Sequence, residues 1–109
     1  MAKHEFGIMP TPPQKGKRYD DYEPEKYNCI SIDDEIIEEI DKALIHIDFY
    51  YHTLDVKAKG IAYCGVTLIP PVSLNSFICV IKTNHKLCDL TKLAQTALDE
   101  DKWMIHFGL

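Results

Sequence analysis

The chain has 109 residues, 46% of them hydrophobic and 27% charged, and a formal net charge of −5. That length holds one domain, and the composition is that of a folded globule, which excludes a wholly disordered chain. No apolar run reaches the ~20 residues a bilayer-spanning helix needs, and the start Met-Ala-Lys-His-Glu lacks the apolar stretch of a secretory leader, so a cytoplasmic protein is expected.

Residues 1–26 read as an extended arm. Pro10, Pro12, Pro13 and Pro24 remove backbone donors and fix φ, leaving room for no more than a short edge strand over residues 3–9. Tyr19 and Tyr22 predict that the arm packs on a surface. Five basic side chains here (Lys3, Lys15, Lys17, Arg18, Lys26) balance five acidic ones (Glu5, Asp20, Asp21, Glu23, Glu25), so the body from 27 to 109 carries the whole net charge. Nucleic acid is therefore not an expected partner, because such binding draws its affinity from Lys and Arg displacing counterions.

The body is a single α+β domain in this reading. Ile30 and Ile32 alternate with polar neighbours as in a half-buried strand. Asp33 stands at an N-cap position, and Ile36, Ile37, Ile40, Leu44 and Ile47 mark an amphipathic helix. Phe49 to Leu54 predicts a second strand, Asp55 to Gly60 a charged loop, and Ile61 to Ile69 the longest strand. Pro70-Pro71 closes that strand and opens a helix carrying Leu74, Phe77, Ile78 and Ile81. Asn84-His85 interrupts it before a further helix with Leu87, Leu90, Leu93, Ala94, Ala97 and Leu98. Trp103, Ile105 and Phe107 alternate in a last strand.

The order β-α-β-β-(α-α)-β resembles the ferredoxin-like split βαβ, with a four-stranded antiparallel or mixed sheet and helices on one face. The broken second helix departs from it. The resemblance is one of fold and carries no function.

Motifs are sparse. The histidines (His4, His46, His52, His85, His106) show no metal-ligand spacing, and neither G-x-G-x-x-G nor a P-loop occurs, so no metal and no cofactor is expected. Cys29, Cys64, Cys79 and Cys88 form no C-x-x-C and read as free thiols in a reducing compartment. Alternation puts Cys64 on the core face with Ala62, Val66 and Leu68, as a small hydrophobe and not a nucleophile. His52 has Asp48 and Asp55 close in sequence, the arrangement of a general base with an orienting carboxylate.

The second sheet face is the main anomaly. With Ile30, Ile32, the Ala62-to-Leu68 set, Trp103, Ile105 and Phe107 turned to the helices, the other face holds Tyr27, Cys29, Ile61, Tyr63, Thr67, Ile69, Met104 and His106. A patch so apolar calls for a cover: the arm, a second copy in a homodimer, or a small molecule. The expectation is a small binding or interaction protein using this face and the arm, with Tyr27, Ile61, Tyr63, Thr67, Met104 and His106 as binding residues. The alternative is a small enzyme with His52 or His106 as acid–base and Tyr63 orienting the substrate in a pocket between arm and sheet.

Overall fold

The computed structural model describes residues 2–109. Six strands, β1 (Lys3–Ile8), β2 (Ile30–Asp33), β3 (Asp48–Tyr51), β4 (Lys57–Lys59), β5 (Val66–Ile69) and β6 (Met104–Phe107), form one open sheet in the order β2-β1-β6-β5-β3-β4. Every neighbouring pair is antiparallel. Three helices, α1 (Asp34–Leu44), α2 (Pro71–Ile81) and α3 (Cys88–Asp99), complete an α+β fold.

The four-stranded expectation is corrected to six. Residues 3–8 are not an edge strand: β1 lies inside the sheet, bonded to β2 on one side and β6 on the other. Lys57–Lys59, expected as loop, pairs with β3 as the outermost strand, and its two lysines suit an edge that must not recruit further strands.

The broken helix explains why the sheet departs from the split βαβ. One helix between two strands returns the chain parallel to where it started; two helices return it antiparallel. Asn84, whose side chain accepts from the Lys86 N–H at 3.1 Å, starts the turn that separates α2 from α3. The chain thus makes two helical passes, and β6 comes back antiparallel directly beside β5.

The long strand expected over Ile61 to Ile69 is shortened to Val66–Ile69. Gly60 (φ +76°) and Gly65 (φ +101°) both take left-handed conformations that bend the chain out of the ladder. The Ala62 N–H donates to Thr67 Oγ1 at 2.8 Å, closing the intervening segment as a loop.

Both sheet faces are buried. Toward the helices, Phe6, Ile32, Phe49, Ile69 and Met104 pack against Ile37, Ile40, Leu44, Leu74, Phe77, Ile81 and Leu90. On the other side Val66, Leu68, Ile105 and Phe107 are covered by Met9 and Tyr27, with Tyr19, Cys29, Leu54 and Trp103 around them. The arm is therefore the cover.

The facing of β5 and β6 is the reverse of the sequence expectation. Leu68, Ile105 and Phe107 lie under the arm, while Ile69 and Met104, with Thr67 and His106 alternating in phase, lie under the helices. All four residues of each strand are buried, and the polar pair Thr67 and His106, hydrogen-bonded to each other at 3.1 Å, is turned inward, so period-two alternation does not set the phase by polarity. Ile30 and Ile32 do face the helices as expected. Trp103 instead packs its ring against Tyr50 on the arm side, at 5.8 Å.

Candidate functional site

Functional side chains gather at one end of the sheet, where β1, β5 and β6 meet the loop of residues 60–65. The chain after β6 is bonded to that loop: the Gly108 N–H donates to the Gly65 carbonyl at 2.7 Å and the Leu109 N–H to the Tyr63 carbonyl at 2.8 Å. Any Cβ at Gly108 would collide with the Ala62 and Tyr63 carbonyls, so backbone meets backbone here. Gly65 is constrained by its φ of +101°, and a Cβ there would also displace the His52 ring, 2.6 Å away at Nε2.

A cavity of about 530 Å³ opens on the arm side of this end. Val66 and Phe107, only 3% and 2% exposed, lie at its floor; Ala2 and Lys3, Asp20 and Tyr22 of the arm, Gly65, Gly108 and Leu109 form the wall. Tyr22 is latched: its hydroxyl donates to Glu5 Oε2 at 2.6 Å, and its ring meets Phe107 edge-on at 5.6 Å. The Ser31 hydroxyl donates to the other Glu5 oxygen. The carboxylate acceptor raises the Tyr22 hydroxyl above its ordinary pKa. Asp20 sits 2.9 Å from Arg18 Nε and 2.7 Å from His52 Nδ1, and Arg18 first, with a smaller part from His52, holds its carboxyl below the usual range. Lys3 forms no ion pair among the described residues. The cavity therefore combines an apolar lining with an unmatched cation.

On the helix side of the same sheet end runs a buried polar chain. Thr67 Oγ1 lies 3.1 Å from His106 Nδ1, His106 Nε2 lies 2.8 Å from His4 Nδ1, and His4 Nε2 lies 2.8 Å from Asp34 Oδ1. Both histidines have no solvent exposure, and the Asp34 side chain is 15% exposed. One polarity satisfies every member. The Asp34 carboxylate accepts from His4 Nε2–H, which leaves His4 Nδ1 to accept from His106 Nε2–H, and His106 Nδ1 to accept from the Thr67 hydroxyl. Thr67 Oγ1 in turn accepts the Ala62 N–H. Both rings are neutral in this arrangement, and burial first, then His4, pushes the His106 pKa well below the ordinary 6.5.

The six expected binding residues do not share a surface. Tyr27 is buried as part of the cover over Phe107, Ile61 and Met104 lie in the helix-side core, and Thr67 and His106 belong to the buried chain. Only Tyr63 is exposed, at 58%, with its hydroxyl 3.4 Å from Asp34 Oδ2 and its ring edge-on to His4 at 6.1 Å. The acid–base set is dispersed too. His52 contacts Asp20 and not Asp48, which is paired with Lys59 at 2.7 Å and Lys57 at 3.5 Å. His106 is sealed from solvent. Cys64, expected in the core, is exposed because it sits in the loop before β5. Cys29 is the thiol that burial affects, pushed up to about 12 and so held protonated.

Two members of the polar chain, His4 and Asp34, escaped the sequence reading. His4 alternates with Phe6 and Ile8 on one face, a signal that this histidine points inward. Asp34 looks like any first-turn acid favoured by the helix dipole, and nothing local marks it as a histidine's partner. No group of three or more potential metal ligands occurs among the described residues. No protein-family model, curated protein or solved structure matches this chain.

Proposed function

We propose that this chain is a small binding protein that takes an amphiphilic anion, an apolar body bearing one negative group, in the cavity at the sheet end. The observation that carries the reading is the cavity itself: about 530 Å³ of space against Val66 and Phe107, beneath an arm latched by Tyr22. That volume falls within the roughly 300–1,000 Å³ of small-molecule sites, which combine apolar walls with a few placed polar groups. Lys3 is the group free to meet an anion, since Asp20 is already paired with Arg18 at 2.9 Å. Self-association through the second sheet face, the other partner the sequence suggests, requires the arm to leave Leu68, Ile105 and Phe107 first.

Phenylalkyl sulfonates and carboxylates of increasing length, titrated against isotope-labelled protein, test the proposal. Binding should move the Gly65 and Gly108 amide resonances in a saturable way. Ala2→Trp, which fills the cavity from an exposed position, should abolish the shifts, and Lys3→Glu should weaken the anions selectively over neutral analogues. Should anionic, neutral and cationic probes all leave Gly65 and Gly108 unmoved, the small-molecule reading is to be abandoned.

A further inference from the structure

We propose that the His4–His106 pair is a one-proton site whose loading turns the Thr67 hydroxyl and resets the 60–65 loop at the cavity wall. The coupling to ligand rests on the cavity being the binding site; the proton site itself rests only on the buried chain.

The argument begins with polarity. In the unloaded state each member donates toward Asp34, and each nitrogen and oxygen along the way has one role. Add one proton and the sequence of roles must reverse. His4 then carries N–H on both nitrogens, keeps its bond to the Asp34 carboxylate, and donates from Nδ1 to His106 Nε2. His106 becomes the other neutral tautomer and donates from Nδ1 to Thr67 Oγ1. No bond to carbon changes: one proton enters at His106 Nδ1, the proton of His106 Nε2 crosses the 2.8 Å contact to His4 Nδ1, and the His4 Nε2–H stays on Asp34.

The site holds one proton and not two, because a second would set two imidazolium rings against each other across a 2.8 Å contact. The Asp34 carboxylate fixes where the positive charge rests, on His4. Around the pair little else titrates. From the loop, Tyr63 faces His4, and Glu38 on the next turn of α1 acts on Tyr63. From β1, the Phe6 ring packs tilted against His106 at 4.7 Å. The helices α2 and α3 turn Leu74, Phe77, Leu90 and Ala94 inward, none of them titratable. Asp34 is thus the one charged group hydrogen-bonded to the pair among the described residues.

Thr67 converts the proton into a conformational signal. Its oxygen already accepts the Ala62 N–H at 2.8 Å. With the pair loaded it must also accept from His106, and its own hydrogen loses its acceptor inside the sheet. The hydroxyl rotates, and the Ala62 bond that closes the loop weakens. That loop carries Gly65, which lines the cavity, and its carbonyls hold Gly108 and Leu109, which line it too. The chain ends at Thr67, which has no solvent exposure and meets a backbone N–H, so it stores a proton and does not conduct one.

Imidazole nitrogen spectra of the full-length protein, recorded from about pH 8 to about pH 4.5, test this. At the upper end both rings should be neutral with the proton on Nε2. On acidification the two rings should change in one shared step of one proton, and the Ala62, Gly65 and Gly108 amides should follow with the same midpoint. Thr67→Val should keep the ring step but uncouple the amides; Thr67→Ser, which restores the hydroxyl, should recouple them. Independent titration of the rings, amides that ignore the step, or unfolding before any ring changes would each overturn the proposal. The cavity is checked separately with 3-phenylpropanesulfonate, anionic throughout this range. Its failure to bind at neutral pH removes the cavity reading and leaves the ring step standing; binding that ignores the ring step removes the coupling alone.

Discussion

The two faces of the sheet are buried by different means, and their difference organises the molecule. One face is covered by α1, α2 and α3, whose apolar side chains interlock with Phe6, Phe49, Ile69 and Met104. The other is covered by a proline-rich segment without regular structure beyond the single 3-10 turn at Pro24–Tyr27. Helices satisfy their own backbone groups and can devote side chains to packing; an extended arm must be fixed from outside. Here the fixing is sparse. It includes the Met9 N–H on the Trp103 carbonyl at 2.9 Å, the Tyr19 N–H on the His52 carbonyl at 2.7 Å, the Tyr22–Glu5 bond, the Asp20–His52 contact, the rings of Tyr22 and Tyr27 against Phe107, and burial of Met9 and Tyr27. The helix side thus supplies the rigid support, and the arm side is the part able to open. The cavity proposed as the binding site is on this arm side, where local opening is easier.

Ways to break this comparison run from the core outward. Phe77 has no exposure and meets the rings of both Phe6 and Phe49. Phe77→Ala should cost about 3–5 kcal/mol in urea-induced unfolding, enough to remove most of a small domain's stability.

Acid comes next. His106 stays neutral in the folded protein below the pH at which the unfolded chain binds its proton, because burial lowers its pKa from 6.5. The unfolded state then holds more protons, so stability falls as pH drops below the ordinary histidine range and is flat above it. The slope for one proton is about 1.4 kcal/mol per pH unit. In His106→Gln the slope below pH ~6.5 should lose that one-proton contribution, while stability near neutrality drops because Thr67 and His4 lose well-matched partners.

A smaller effect separates the faces directly. Lys15, Lys17 and Arg18 are exposed on the arm. Trypsin under native conditions should cut there at a rate set by local opening, well before the helices unfold. Tyr19→Ala should speed that cleavage about fivefold, equivalent to about 1 kcal/mol, with little change in the melting of α1 to α3. Smallest is Tyr22→Phe, which removes an exposed hydrogen bond while keeping the ring on Phe107. Its effect on global stability should stay within about 0.5 kcal/mol, visible chiefly as faster tryptic cleavage of the arm.

The same contrast explains what could be read from the chain. The helices were legible because their apolar stripes face water on the far side: Ile37, Ile40 and Leu44 recur with acids and lysine between them. That an apolar second sheet face needs a cover was also legible. Its membership was not, because Val66–Ile69 and Met104–Phe107 are buried on both sides and either phase fits. The position of β1 was hidden for a further reason. A strand near prolines resembles an edge, and only the pairing of Phe6 with both Ile30 and His106 puts it inside. The polar chain was the least visible, since it joins residues 4, 34, 67 and 106 through a topology that no local pattern encodes.

The claim on which the rest depends is that each chain covers its own sheet with its own arm. Nuclear Overhauser contacts between the Leu68 and Ile105 methyl groups and the Tyr27 ring, measured where light scattering gives the mass of one chain, address it directly. The account predicts strong contacts in a uniformly labelled sample and none between chains in a mixture of labelled and unlabelled protein. Methyl groups in contact with water, or contacts appearing only between different chains, would contradict it.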